Sequence, residues 1–480
     1  MKTSTQGKAK IVCTLGPSSN SVEMLVKLLD SGIDVVRLNF SHGTHADHLN
    51  TLNNVQAAAK QTGDVVTVLM DLQGPKIRIG DLAVPFIELV PGKQFTITTD
   101  PIKGTAEKVS TTYENLTKDL HGGDIILLDD GKLRLRVLNV QNNDVVCEVV
   151  VGGTLSAHKG INLPGVTVSA PSLTPKDLLD LEFGLKQDID YVALSFVRTA
   201  EDIRELRKVI VQRIDPGRFL PIIAKIERPL AIDNIDAIIA EADGIMIARG
   251  DLGVELPPED VPMLQKMIIK KCNEVGKPVI VATQMLESMI NSPTPTRAEA
   301  SDVANAVVDG VDAVMLSGET SVGRYPLDAV QIMERIICKV ESEQLGSMRV
   351  LDRSLGNVES RLDALGRSAC VLAEQMKAAA IVVVTRSGET ARIISRYRPR
   401  PRIVAITDRP KILRRLNLIW GVQGIVIGKL EEDSDKALQK IQERLLESGI
   451  VQRGEYVVML AGQPFFARGS TNFIKVEKVQ

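Results

Sequence analysis

Two short segments place charged side chains where they could act together on one ligand. Lys225-Ile226-Glu227 sets a lysine and a glutamate two residues apart, and Arg249-Gly250-Asp251-Leu252-Gly253 repeats that spacing with an arginine, an aspartate and two glycines. Both follow apolar runs, so in extended chain each pair would point the same way from a strand end. Glu227 and Asp251 offer the hard oxygen ligands that suit one Mg2+ while leaving positions for substrate oxygens. Lys225 would supply positive charge where a transferring group gathers negative charge. Gly250 and Gly253 let bare backbone amides approach an anion closely. Taken alone, Lys225 and Glu227 read as a structural ion pair; beside the second segment, they read as chemistry.

Arg37-Leu38-Asn39-Phe40-Ser41-His42-Gly43 sets Arg37, Asn39 and Ser41 on alternate positions, a guanidinium fork for phosphate or carboxylate followed by neutral donors. Ser41 would also cap the following helix. His42, His45 and His48 share no single helix face and have no acids grouped with them, so they are expected as exposed helix residues rather than metal ligands. Asp71-Leu72-Gln73-Gly74-Pro75-Lys76-Ile77-Arg78 gathers an acid and two cations around a Gly-Pro turn. Thr283 brings a hydroxyl to the end of an apolar run, a place where threonine also serves as a helix cap. Thr385-Arg386-Ser387-Gly388-Glu389-Thr390 has the amides and hydroxyls of a phosphate-binding loop, although a plain strand-to-helix turn explains it equally well.

These residues need a frame. Short β-branched runs recur at Lys10–Leu15, Asp34–Asn39, Val65–Asp71, Tyr191–Ser195, Pro221–Glu227, Gly244–Ala248, Pro278–Thr283 and Asp312–Ser317, each followed by helical periodicity. Near-continuous apolar strands alternating with helices predict a parallel sheet covered on both faces, and eight of them predict a (β/α)8 TIM barrel of the α/β class. The chemical residues sit at the C-terminal ends of the runs, where such barrels build their sites. Between the third and fourth runs, period-2 segments at Gln94–Thr99, Asp124–Leu128, Leu133–Leu138 and Val145–Val151 predict an inserted small β-barrel placed to act as a lid. A polar stretch at Gln344–Glu359 reads as a connector. Strands at Ala380–Thr385, Arg402–Thr407, Gln423–Ile427 and Glu455–Leu460 then predict a C-terminal α/β domain. The expected boundaries are 1–74 and 164–344 for the barrel, 75–163 for the lid and 345–480 for the last domain.

The composition, 44% hydrophobic and 25% charged, is that of a globular protein, and a formal net charge of -2 offers no broad attraction to nucleic acid or anionic membrane. The basic run Arg396–Arg402 is therefore expected to be a solvated surface. No apolar run reaches the roughly 20 residues of a membrane span. The first residues carry no apolar signal-peptide core. Five scattered cysteines form no CxxC pair, which fits thiols in a reducing cytoplasm.

Together the motifs resemble the pyruvate kinase family across essentially the whole chain. Ile11–Pro17, Arg37–Gly43, Gly74–Arg78, Lys225–Glu227, Ala248–Gly253, Ala282–Met289 with Pro295–Glu299, and Met315–Glu319 match in order. The resemblance implies phosphoryl transfer from phosphoenolpyruvate to ADP, giving pyruvate and ATP in glycolysis. It implies Mg2+ (or Mn2+) on Glu227 and Asp251, and Lys225 at the transferring phosphoryl group. Arg37 and Gly250 match substrate contacts, Thr283 the hydroxyl at the enolate face, and Asn39, Ser41, His42, Arg78 and Lys159 nucleotide-side positions. It also implies a phosphorylated effector at Thr385, Arg386, Ser387, Gly388, Thr390 and Ser470, and a homotetramer. The alternative reading is a metal-dependent aldolase or lyase acting on pyruvate enolates, which would need neither the lid nor Arg78.

One departure stands out. Many members of the family carry an acid where this chain has Lys76, and hold K+ on residues matching Asn39, Ser41, Asp71 and the Leu72 carbonyl. An ammonium supplies the single positive charge that K+ would bring, so the chain is expected not to require K+.

Overall fold

The computed structural model describes residues 7–214, 219–344, 360–428, 434–462 and 471–480. The expected connector (345–359) and Ser470 lie outside them.

All eight predicted runs are strands, numbered here in chain order: β1 Lys10–Thr14, β2 Val35–Asn39, β3 Thr67–Asp71, β4 Tyr191–Leu194, β5 Ile222–Ile226, β6 Gly244–Ala248, β7 Val279–Ala282 and β8 Ala313–Leu316. Each pairs in parallel with its neighbours in chain order, and β8 returns to β1 with Lys10 opposite Ala313, closing the barrel. Alternate residues explain the continuous apolar runs. Val12, Val35, Leu69, Ile223, Met246 and Ile280 fill the inside of the barrel. Their neighbours, including Ile11, Val36, Met70, Ile222, Ile245 and Val281, pack outward against the helices. With both faces committed to burial, polar side chains are left to the strand ends.

Between β3 and β4, a six-stranded sheet and a two-stranded sheet share one core. The four predicted strands are present as Gln94–Thr98, Ile125–Leu128, Leu133–Gln141 and Asp144–Val151. The short strands Phe86–Leu89, Lys108–Ser110, Gly153–Ser156 and Ile161–Asn162 had no alternating pattern long enough to read. The insert touches the barrel mouth: Asn162 Nδ2 donates to Glu255 Oε1 at 3.2 Å, and Glu255 in turn accepts from Arg228 at 2.7 Å.

The C-terminal sheet has four parallel strands, in the order Val422–Val426, Arg402–Thr407, Ala380–Val384, Tyr456–Ala461, and one antiparallel edge strand, Phe473–Lys478. Its domain closes the opposite, N-terminal end of the barrel. Leu418 enters the interior cluster, Asn417 Nδ2 donates to the Asp34 carbonyl at 2.7 Å, and Tyr191 Oη donates to the Arg415 carbonyl at 2.8 Å. This corrects the reading of the basic run as a solvated surface. Arg398 reaches Asp312 at 3.0 Å, Asn273 at 2.7 Å and the Gly310 carbonyl at 2.6 Å, and so ties the two domains together.

Two local expectations also change. The helix after β2 (His45–Thr62) is capped by Thr44 rather than Ser41, through a reciprocal capping box with Asp47. His48 is buried rather than exposed: its ring stacks on Phe40 with centroids 4.0 Å apart, and its Nε2 lies 3.0 Å from the His42 carbonyl.

Candidate active site

Strand ends β2 to β5 converge on a chain of buried charges. Arg37 Nε donates to Asp71 Oδ2 at 2.6 Å, and its other arm reaches Thr14 Oγ1 at 2.9 Å. The Lys225 ammonium lies 3.3 Å from Asp71 Oδ1 and 3.0 Å from Glu227 Oε1, and donates to Ser195 Oγ at 2.7 Å. Ser195 Oγ in turn donates to the Leu72 carbonyl at 2.7 Å, which locks the turn after β3. The Phe196 amide donates to Glu227 Oε2 at 2.7 Å. Sequence reading placed Ser195 at a strand end without a role; its part as the hub between Lys225 and Leu72 depends on side-chain reach across two strands.

The carboxylates are not equivalent. Burial pushes Asp71 up, but Lys225 and Arg37 together outweigh it and hold the group below its usual range. Burial also pushes Glu227 up; Lys225 offsets this only in part, and the charge of Asp251 adds to it, so Glu227 stays above its usual range. Burial pulls Lys225 down, but Asp71 and Glu227 reverse this and keep it firmly cationic. Asp71 therefore has Arg37 to itself and shares Lys225, whereas Glu227, only 1% exposed, has only its share of Lys225 and faces a second carboxylate. Two oxygen-donor carboxylates that act on each other, Glu227 and Asp251, fit a divalent metal ion.

The end of β6 corrects one expectation. The chain does not stay extended past Ala248; Arg249–Glu255 is a short helix, so Arg249 and Asp251 do not project together. Asp251 faces Lys76, whose ammonium lies 3.5 Å from Oδ1. Arg249 turns away toward Asp302 and the β7 end. The Gly250 amide donates to Thr283 Oγ1 at 2.7 Å, and a Cβ at residue 250 would stand 3.4 Å from that oxygen. Thr283 does not cap a helix; it and Gln284 take left-handed backbone angles, with φ of 68° and 55°.

On the side of β2 and β3, Asn39 Oδ1 accepts from the Ser41 amide at 3.2 Å. Burial pulls His42 below its usual range, and the nearby cations Arg78, Arg37, Lys76 and Lys176 add to this. That electropositive rim suits polyphosphate. Arg78 donates to the His158 carbonyl at 3.1 Å, and Lys159 turns toward Asp129 at 2.7 Å, inside the insert. In the C-terminal domain, the Gly388 amide donates to Thr385 Oγ1 at 2.9 Å, Arg386 lies 3.4 Å from Asp408, and the Thr390 and Thr471 hydroxyls are 2.8 Å apart.

Known proteins share this fold. Residues 6–330 match the model of the pyruvate kinase barrel domain, and residues 363–477 match that of the pyruvate kinase alpha/beta domain. The chain is 45% identical to a pyruvate kinase of Geobacillus stearothermophilus over 475 residues, covering 98% of this chain and 80% of the relative. It is 44% identical to one from Staphylococcus aureus, at the same coverage. A solved pyruvate kinase structure from Cryptosporidium parvum superposes with a TM-score of 0.92 at 38% identity, covering 99% of this chain and 97% of that one. With its barrel and C-terminal domains both matched, the chain belongs to the pyruvate kinase family, a phosphotransferase family acting on phosphoenolpyruvate and ADP with a divalent metal.

Proposed function

We propose that this chain transfers the phosphoryl group of phosphoenolpyruvate to ADP at the mouth formed by β2 to β7, with Lys225, Arg37, Gly250 and Thr283 as the working groups. The observation that carries the assignment is the buried Arg37–Asp71–Lys225–Glu227 chain, which fixes two cations beside two buried acids, one of them the proposed metal ligand Glu227. The P–O bond to the enol oxygen breaks, a P–O bond to the terminal phosphate of ADP forms, and the enolate left behind takes a proton on its methylene carbon.

Lys225, held by Asp71, Glu227 and Ser195, sits rigidly where the in-flight phosphoryl group concentrates charge, so little reorganisation is needed at the moment of transfer. Arg37 offers the phosphate its remaining edge while Asp71 and Thr14 fix its plane. Glu227 and Asp251 would hold Mg2+, or Mn2+, which when bound supplies electrophilic charge to the phosphoryl oxygens. The Thr283 hydroxyl marks the face of the enolate where the proton arrives. Asn39, Ser41, His42, Arg78 and Lys159 form the nucleotide side, and the insert, taken as 75–163, closes over the mouth to exclude water.

Lys76 takes the place of a monovalent cation near Asn39, Ser41, Asp71 and Leu72, so K+ is not required. The loop of Thr385, Arg386, Ser387, Gly388 and Thr390, with Ser470 outside the described residues, takes a phosphorylated effector. The assembly is a homotetramer of the cytoplasm, a reading that the free, scattered cysteines support; among the described residues, no helix is long and apolar enough to cross a membrane. Named relatives give the aldolase alternative no support.

The deciding assay measures pyruvate and ATP from phosphoenolpyruvate and ADP, with and without Mg2+ and K+. Turnover should require the divalent ion and proceed without K+, and Lys76→Glu should introduce a K+ requirement. No product with Mg2+ present would overturn the activity; a large K+ activation of the unaltered enzyme would overturn the Lys76 assignment alone.

A further inference from the structure

Arg249 stands next to the site, yet the reaction as described leaves it unused. Its side chain is almost wholly enclosed, and its guanidinium is fully engaged along one edge. One arm meets Asp302 at 2.7 Å and Gln265 at 3.4 Å. The other meets the carbonyls of Thr283 at 2.9 Å and Gln284 at 3.4 Å, and Met285 Sδ at 2.8 Å. Those carbonyls belong to the two residues with positive φ, 68° at Thr283 and 55° at Gln284. A β-branched residue in the left-handed region is strained and persists only where its surroundings hold it. Glycine would relieve that strain; this chain instead keeps a threonine there and clamps the turn from outside.

The clamp is continuous with the site. Arg249 grips the Thr283 carbonyl, while the next residue in sequence, through the Gly250 amide, grips the Thr283 hydroxyl at 2.7 Å. The hydroxyl in turn donates to the Ala282 carbonyl at 2.5 Å. Side chain and backbone of one threonine are thus pinned from two consecutive residues of β6's end. The fork geometry matters: a lysine could keep the charge near Asp302 but could not bridge Asp302 and two successive carbonyls.

We propose that Arg249 is a positioning residue for the proton step: it touches no substrate, and it holds Thr283 in the strained turn that presents its hydroxyl to the methylene carbon of the enolate. Asp302 anchors Arg249 in this role. The proposal rests on the assignment of Thr283 to the enolate face, and the test separates the two.

The proton step is read directly by exchange of the pyruvate methyl protons with deuterium from solvent, followed by proton NMR with Mg2+ and without ADP. Arg249→Lys should slow exchange by about 10- to 100-fold, while the KM for phosphoenolpyruvate moves less than about threefold. Asp302→Asn, which loosens the anchor and leaves the fork intact, should give a smaller loss in the same direction and covers the case in which Arg249→Lys does not fold. Thr283→Ala should slow exchange by itself, and adding Arg249→Lys to it should cost little more, because both act through one hydroxyl. Losses that multiply in the double variant would overturn the role of Arg249 and leave Thr283 in place. Undiminished exchange in Thr283→Ala would overturn the Thr283 assignment, and the proposal with it.

Discussion

Replacing Lys76 by methionine should tighten divalent-metal binding and slow turnover at the same time. The ammonium lies 3.5 Å from Asp251 Oδ1, with side-chain exposures of 28% and 26%. Coulomb's law puts such a pair near 1 kcal/mol in bulk water and several times that at a partly screened protein surface. Measured pairs at comparable exposure give about 0–1 kcal/mol after desolvation and side-chain entropy, so about 1 kcal/mol is the value to use. A metal ion entering at Asp251 must displace that contact. Lys76→Met removes the competition, and 1 kcal/mol corresponds to about fivefold tighter binding. Titration of the substrate-free enzyme with Mn2+, reading free ion by electron paramagnetic resonance, measures this without any turnover. In the same variant, turnover without monovalent salt should fall and K+ should restore part of it, because the missing positive charge returns as an ion. Unchanged Mn2+ affinity would show that Lys76 does not compete at Asp251. Tighter Mn2+ binding with no K+ response would show that it competes there without standing in for a monovalent cation.

Two further outcomes follow from the buried charges. Lys225→Met should lower kcat by about 10²–10³ while the KM for phosphoenolpyruvate changes only severalfold, since the role proposed for the ammonium is to meet charge that develops during transfer; a change confined to KM would argue against that role. At the other end of the barrel, burial lowers Lys8 to about 8 from 10.5, while the unfolded chain keeps its proton to the higher value. Between those pH values the unfolded state binds more protons, so the folded state gains as pH rises, by up to about 3 kcal/mol across the window. Below it the penalty is fully present. The melting midpoint of the natural chain should therefore rise relative to that of Lys8→Met from about pH 8 to about pH 10, and a constant difference would show that Lys8 is not desolvated as described.

The barrel was legible because its strands are buried on both faces. With no room for polar side chains inside, Arg37, Asp71, Lys225 and Glu227 stood out at the ends of apolar runs, and the structure brings those four together. What was not legible depended on where the backbone turned. Arg249 and Asp251 are two apart, and alternation predicted a shared direction; the chain instead entered a helix at Arg249, which sent one to Asp302 and the other to Lys76. Nothing local announces that switch, because the residues that stabilise it lie 34 and 53 positions away in sequence. The left-handed angles at Thr283 are hidden for the same reason. Thr44 as the helix cap, by contrast, was there to be read in Thr44-His45-Ala46-Asp47, a threonine with an acid three residues on.

The charges at the mouth also say what Lys76 changes. Arg37, Lys225 and Lys76 face Asp71, Glu227 and Asp251, three cations against three carboxylates joined by the ion pairs of this structure. This set of six is thus neutral before any ligand enters, and a divalent ion would make it doubly positive toward an anionic substrate. An acid at position 76 would leave the same set two units more negative, and one bound K+ would return only one of them. Lysine is therefore not a neutral exchange for acid plus K+; it leaves the mouth one unit more positive. Lys76→Met with K+ bound restores the charge of the natural chain, whereas Lys76→Glu with K+ does not, although it supplies a better ligand for the ion. If net charge governs substrate capture, the methionine variant in saturating K+ should have the lower KM for phosphoenolpyruvate of the two. If ion coordination governs it, the order reverses, and the glutamate variant should reach half-maximal activation at lower K+. Measuring both constants in both variants separates charge from coordination as the property that Lys76 supplies.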